Sequence, residues 1–352
     1  MKHKFQLVSK INLLKKENYR DDLGLKRHKN FIQYIKLFDN KILINDTKYL
    51  KIYNYPFFHL ITQLYAGCFS ATLLKSKNIA CCDYYGKISF YSIKENKFKL
   101  IQKIDVIKER TVYRVKELAN GMLVSCQDER ALTLYGYDKN SQLYNIKQKI
   151  NLNDFIENIL YTKDNDLLLY QNYVLGVDRF DYKLIAYDFQ KKYEKKKIAS
   201  DSGNGLIYEP FKFLNKNTVA AIISKYIFLI DINKDYNIIE KVSTNSYWLN
   251  CISIINDKCI ITGDDNGFIK LWELKNNQFY EKDEYKYYIR KKDSSIGTSI
   301  TDLLYLGNNK FFVGGIYYDI DFSAILNIFS NSNSKSPHIP YSGYISDVYE
   351  VI

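Results

Sequence analysis

The chain has 352 residues, of which 46% are hydrophobic and 26% charged, proportions that supply an ordinary globular core and exclude a wholly disordered chain. Four prolines exclude long proline-rich linkers, and no uncharged apolar run reaches the roughly 18 residues of a membrane helix. The formal net charge of +12 suits a nucleic acid, an anionic membrane surface or an acidic protein.

In chain order, residues 1–20 carry repeated lysines without a continuous apolar core, so no signal peptide is read there. The expected location is intracellular, cytoplasmic before nuclear. Phe5–Leu13 reads as an outer strand. Seven units follow, at about 31–64, 66–104, 110–150, 155–200, 205–242, 246–288 and 298–330. Each holds a short apolar strand: Ile42–Ile44, Ile79–Cys81, Met122–Val124, Leu167–Leu169, Val219–Ala221, Cys259–Ile261 and Phe311–Val313 in turn. A second apolar strand then ends on an anchor: Tyr53, Tyr91, Tyr135, Tyr187, Ile230, Trp272 or Ile328. Segments of this length are strands rather than helices.

The anchors share a frame. Three residues earlier stand Leu50, Ile88, Leu132, Leu184, Ile227, Ile269 and Ile325, all aliphatic. One residue earlier stand Ile52, Phe90, Leu134, Ala186, Leu229, Leu271 and Asn327. These two positions share a strand face, so a recurring apolar pair marks a buried face. Seven residues earlier, Asp46, Asp128, Asp265 and Asp321 recur. They are read as structural turn residues whose carboxylates cap backbone amides, not as a ring of catalytic groups. The anchors lie 38, 44, 52, 43, 42 and 56 residues apart. Extended loops around Gln171–Asp181 and Glu281–Thr298 are expected to take up the two long intervals. Residues 331–352 read as a loop and a terminal strand. That strand is similar to Ile300–Leu304, which leaves open an eighth or shared closing unit, or a longer protein.

Thr262–Glu273, with its Asp265, Gly267 and Trp272, resembles the WD-repeat β-propeller family, and the likeness extends over roughly residues 31–330. Glu273 stands where the family has Asp, Tyr replaces Trp at four anchors, and the Gly-His dipeptide is missing. The resemblance implies an all-β chain: a seven-bladed WD-repeat-like β-propeller forming a single domain over 1–352, with an eighth or shared closing blade as the alternative. Residues 1–30 would contribute the closing outer strand. Such thin sheets stay dry only by covering one another. The resemblance also places Gln33, Phe69, Tyr113, Asn158, Glu209, Asn250 and Thr301 at the start of the innermost strands. The resemblance implies that this rim, with Tyr247 and Trp248 just before one strand, docks partner proteins; aromatic residues there suit recognition, and packing of Phe69 and Tyr113 between blades is the alternative.

The remaining chemistry is sparse. His3, His28, His59 and His338 share no repeat position and no i, i+4 spacing, so no metal is expected. Cys68, Cys81, Cys82, Cys126, Cys251 and Cys259 lie mostly in strand-like runs and read as free buried thiols. No phosphate-binding loop, dinucleotide fingerprint or nucleophile elbow occurs, and no cofactor is expected. Gly203–Gly205 is an isolated turn. The basic clusters, such as Lys191–Lys197 and Arg290–Lys292, read as solvated loops. Seven arginines against 44 lysines are few for a reader of phosphates and bases. The expectation is therefore a non-enzymatic scaffold that binds proteins. An RNA- or ribonucleoprotein-associated propeller and a propeller hydrolase are the alternatives.

Overall fold

A computed structural model of the chain describes residues 5–10, 34–46, 48–57, 59–108, 110–118, 120–127, 130–152, 155–161, 166–176, 179–188, 191–203, 210–246, 248–286, 298–307, 310–317, 324–330 and 347–351. The regular structure among them is all β. β1 (Phe5–Lys10) belongs to the last sheet. Sheet 1 holds β2 (Tyr34–Phe38), β3 (Lys41–Asn45), β4 (Tyr49–Asn54) and β5 (Leu60–Tyr65); sheet 2 holds β6 (Cys68–Leu73), β7 (Ile79–Asp83), β8 (Lys87–Lys94) and β9 (Lys97–Asp105). Sheet 3 holds β10 (Val112–Glu117), β11 (Leu123–Gln127), β12 (Ala131–Asp138) and β13 (Leu143–Asn151); sheet 4 holds β14 (Phe155–Tyr161), β15 (Asp166–Gly176), β16 (Arg179–Asp188) and β17 (Tyr193–Gly203). Sheet 5 holds β18 (Phe211–Asn215), β19 (Thr218–Ile223), β20 (Tyr226–Asp231) and β21 (Asn237–Ser243); sheet 6 holds β22 (Leu249–Asn256), β23 (Cys259–Asp264), β24 (Phe268–Lys275) and β25 (Gln278–Lys286). Each of these six is antiparallel, with its strands in chain order. Sheet 7 is five-stranded: β26 (Thr298–Gly307), β27 (Lys310–Tyr317), β28 (Ala324–Ser330), β29 (Asp347–Val351) and β1. In it β1 runs antiparallel to both β28 and β29, so the two ends of the described chain meet in one sheet.

Local sequence explains the hairpins. Asp39–Asn40, Glu95–Asn96 and Asn276–Asn277 have positive φ at both turn residues, the geometry that matches the twist of tight hairpins. The anchor frame reappears as register. Tyr53, Tyr91, Tyr135, Tyr187, Ile230, Trp272 and Ile328 pair with Ile42, Ile79, Leu123, Leu167, Val219, Ile260 and Phe312. In sheets 1–6 the fourth strand also carries a bulge at the anchor, as between Ile52 and Tyr53 or Leu271 and Trp272. The second strands are the most buried elements, as in the wholly buried Ile42, Leu43 and Ile44. Burying each such side chain contributes about 1.5–3 kcal/mol. Two anchors add a buried hydrogen bond to a hydroxyl ten residues earlier. Trp272 Nε1 donates to Thr262 Oγ1 at 2.9 Å, and Tyr135 shares a 2.8 Å bond with Ser125.

The sheets pack in circular order. β2 touches β6, β6 touches β10, β10 touches β14, β18 touches β22, and β22 touches β26. Sheets 4 and 5 meet through β17 and β19 and share one apolar core that includes Leu168, Tyr182, Val219 and Ile222. β26 then touches β2, where the Ile35 amide donates to Asp302 Oδ2 at 2.8 Å across 267 residues of chain. Polar ties cross other seams: Asn45 to the Cys68 carbonyl (3.2 Å), Thr72 to the Val115 carbonyl (2.6 Å), Arg114 to Ser70 (2.9 Å) and Tyr236 to Asp166 (2.5 Å).

Two expectations are corrected. Gln171–Asp181 does not form a loop; it lengthens the β15–β16 hairpin, with Tyr173 opposite Asp181 and Val174 opposite Phe180. Its β-forming residues continue the ladder as far as Gly176, opposite Arg179. Glu281–Lys286 likewise extends β25. Nor are all six thiols free: Cys68 and Cys81 are bonded to each other across β6 and β7, whose pairing brings their Cα atoms to 5.7 Å. Cys82, Cys126, Cys251 and Cys259 remain as thiols. The fourth strands lie at sheet edges, and two of them are lysine-rich, β9 (KFKLIQKID) and β17 (YEKKKIASDSG), whereas β5 (LITQLY) has no lysine. Edge lysines block edge-to-edge pairing, which gives the lysines of β9 and β17 a role in the sheets themselves.

Candidate functional site

In an up-and-down sheet, the start of the first strand, the second hairpin turn and the end of the fourth strand share one end. The chain makes that end irregular in a repeated way. Five first strands carry a bulge there, leaving Phe69, Tyr113, Glu157, Asn250 and Thr301 without a partner on the second strand. Bulges re-aim side chains at the rims of sheets. The expected rim is therefore corrected in sheet 4: the equivalent position is Glu157, and Asn158 is the next, paired residue.

Burial divides the expected rim residues. Asn158, Asn250, Thr301 and Trp248 are buried. Asn158 Oδ1 accepts from the Ile159 amide at 2.9 Å, and Asn250 Nδ2 donates to Ser299 Oγ at 2.7 Å. Trp248 packs against Tyr182 with ring centroids 5.3 Å apart. Only Phe69 and Tyr113 come together with partly exposed rings, 5.7 Å apart and edge to face. Tyr84 completes the cluster, 4.9 Å from Phe69, and burial pushes its hydroxyl up to about 12. Gln33, Glu209 and Tyr247 lie outside the described residues, as do the turn residues Asp128 and Asp321.

Turn capping is shifted by one residue from expectation in sheet 6. Asp264, not Asp265, holds the turn: its Oδ1 accepts from the Asn266 and Phe268 amides at 3.0 and 2.8 Å. Asp83 does the same in sheet 2, accepting from the Tyr85 and Lys87 amides at 2.9 Å each. Both turns read Asp-x-x-Gly and end on a glycine with positive φ, Gly86 (82°) and Gly267 (78°). That spacing was the available signal for this pair of caps. Asp46 does cap its own turn, accepting from the Tyr49 amide at 2.7 Å while pairing with buried Lys51. Asp265 instead sits behind Asp264 with Oδ1 buried and unpartnered. Burial, and then the Asp264 charge, pushes its carboxyl up to about 6.

The Asp83 turn borders a depression of about 600 Å³. Asp83, Tyr85 and Lys87 line one side; Lys103, Asp105 and Val106–Lys108, at and beyond the end of β9, line the other. Two backbone bonds staple the sides together, from the Val106 and Ile107 amides to the Gly86 carbonyl at 2.8 and 3.2 Å. A Cβ on Gly86 would lie 1.7 Å from the Ile107 carbonyl oxygen, so only glycine permits this approach. Tyr85 stands 69% exposed at the edge. Residue types alone gave no sign of this basin, because strand pairing assembles it from separate segments.

Among the described residues, no three His, Cys, Asp or Glu side chains gather as a metal would require, and no helix is long and apolar enough to cross a membrane. The chain matches no protein-family model, and no curated protein matches it.

Proposed function

We propose that this chain is a seven-bladed β-propeller of the WD-repeat type that acts as a non-catalytic scaffold, docking partner proteins on the bulged end of its sheets. The observation that carries the reading is the circular packing order, closed where Ile35 on β2 binds Asp302 on β26. A ring of sheets supported on both sides makes a stiff platform, and its turns can vary without disturbing the core. The partly exposed Phe69, Tyr84 and Tyr113 rings supply aromatic area of the kind that anchors protein interfaces.

Two measurements test this. Class averages of the purified protein by electron microscopy are expected to show a disc with a central hole; an elongated particle overturns the ring. Cross-linking mass spectrometry on complexes captured from cells is expected to map partner cross-links to the turns at Asp83–Lys87 and Asp264–Phe268. Cross-links confined to the outer strands overturn the docking end. A steep fall of RNA affinity with salt would move the function toward the nucleic-acid alternative.

A further inference from the structure

We propose that the depression between the β7–β8 turn and the end of β9 binds an acidic, aromatic-containing segment of a partner protein. The inference rests on the scaffold reading and adds the chemistry of the partner. Five charged side chains line the depression: Asp83, Lys87, Lys103, Asp105 and Lys108. Its two carboxylates are already engaged. Asp83 Oδ1 is held by two turn amides, and Asp105 Oδ1 lies 3.1 Å from Lys87 Nζ. Lys103 and Lys108 are exposed and have no carboxylate partner among the described residues. The three lysines against two carboxylates leave the basin a net charge of +1, with Lys103 and Lys108 the cations not held in an ion pair among the described residues, on a wall stapled by backbone hydrogen bonds.

Apolar anchoring lies beside the charge. Tyr85 is exposed at the lip, and Tyr84, its neighbour in the chain, packs on Phe69, which in turn meets Tyr113. An extended peptide lying across both would place carboxylates on the lysines and a ring against the tyrosines. Asp83 and Asp105 would repel a continuous polyanion, so a peptide with spaced acids fits better than RNA. A rigid basin further loses little entropy on binding.

The test uses the full chain and a fluorescein-labelled peptide of glutamates interrupted by two phenylalanines, followed by anisotropy. Binding is expected, weaker at about 300 mM than at about 50 mM salt. Lys103→Glu with Lys108→Glu is expected to weaken it by roughly tenfold or more. Tyr85→Ser, which leaves every charge in place, is expected to weaken it by about threefold or more without changing the salt dependence. A control pair, Lys216→Glu with Lys258→Glu, makes the same charge change in exposed turns at the other end of the sheets and should change affinity by less than about threefold. Equal losses in the two pairs, tighter binding of a lysine-for-glutamate peptide, or displacement of the peptide by single-stranded RNA would each overturn the proposal. If the peptide fails to bind while captured partners still cross-link to this end of the sheets, the basin is refuted and the scaffold reading stands.

Discussion

Asp265→Asn should stabilise the protein, and more so as pH rises. Asp265 lies partly buried behind Asp264, with Oδ1 unpartnered and its pKa pushed up from 3.8 to about 6. A raised carboxyl pKa means that the folded state holds the proton more tightly than the unfolded chain. Stability is therefore fully present below the unfolded value and is lost as pH climbs through the folded one. The shift of about two units corresponds to about 3 kcal/mol at neutral pH, a ceiling because the two neighbouring acids titrate together. Asparagine keeps the size and shape of the side chain and removes the charge. Urea unfolding of wild type and variant should coincide near pH 4 and separate by about 1–3 kcal/mol above pH 7, in favour of the variant. The difference should appear between about pH 4 and pH 6.5, the window those two values define. Equal stabilities at pH 7.5, or a less stable variant, would refute the assignment of a buried, uncompensated charge.

Three further outcomes are expected. Asp264→Ala removes the carboxylate that holds the Asn266 and Phe268 amides, so near pH 4 it should destabilise by about 1–2 kcal/mol in the same urea titration; because burial also pushes the Asp264 carboxyl up, the loss should shrink as pH rises. Gly263→Ala would set a Cβ 2.4 Å from Ile300 Cγ2 and 2.7 Å from Ile300 Cβ, where sheets 6 and 7 meet. The clash should cost about 1–3 kcal/mol and lower the melting temperature, and an unchanged melt would show that the seam is looser than described. Asp302→Ala removes the buried acceptor of both the Ile35 and Leu303 amides and should cost about 2–3 kcal/mol. Hydrogen exchange should quicken in sheets 1 and 7 together; acceleration in sheet 7 alone would mean that the Ile35 bond does not couple them.

The strands and their frame were legible because alternation is a local property. The residues three and one before each anchor had to be apolar if that strand face was buried. Leu50 and Ile52 are both fully buried, as are Ile88 and Phe90 nearly so. The Asp-x-x-Gly turns were legible in principle, but a frame counted from the anchor selected Asp265 instead of Asp264. Frame counting placed the rim position of sheet 4 at Asn158, one residue past the bulge at Glu157, for the same reason: a bulge inserts one residue, and a period cannot show which one. The hairpin over Gln171–Asp181 read as an insertion because strand length is set by pairing, not by composition.

The amino-acid order by itself determined an all-β chain, the positions of its apolar strands and its tight hairpin turns, since these follow from side-chain alternation and φ preferences within a few residues. Tertiary structure alone decided which polar groups were enclosed and which met solvent. Asn250, Thr301 and Trp248 were drawn inside by a neighbouring sheet, whereas Tyr85, Lys103 and Lys108 were left around an open basin. Burial and charge compensation depend on residues brought together from distant parts of the chain, and no local pattern encodes them.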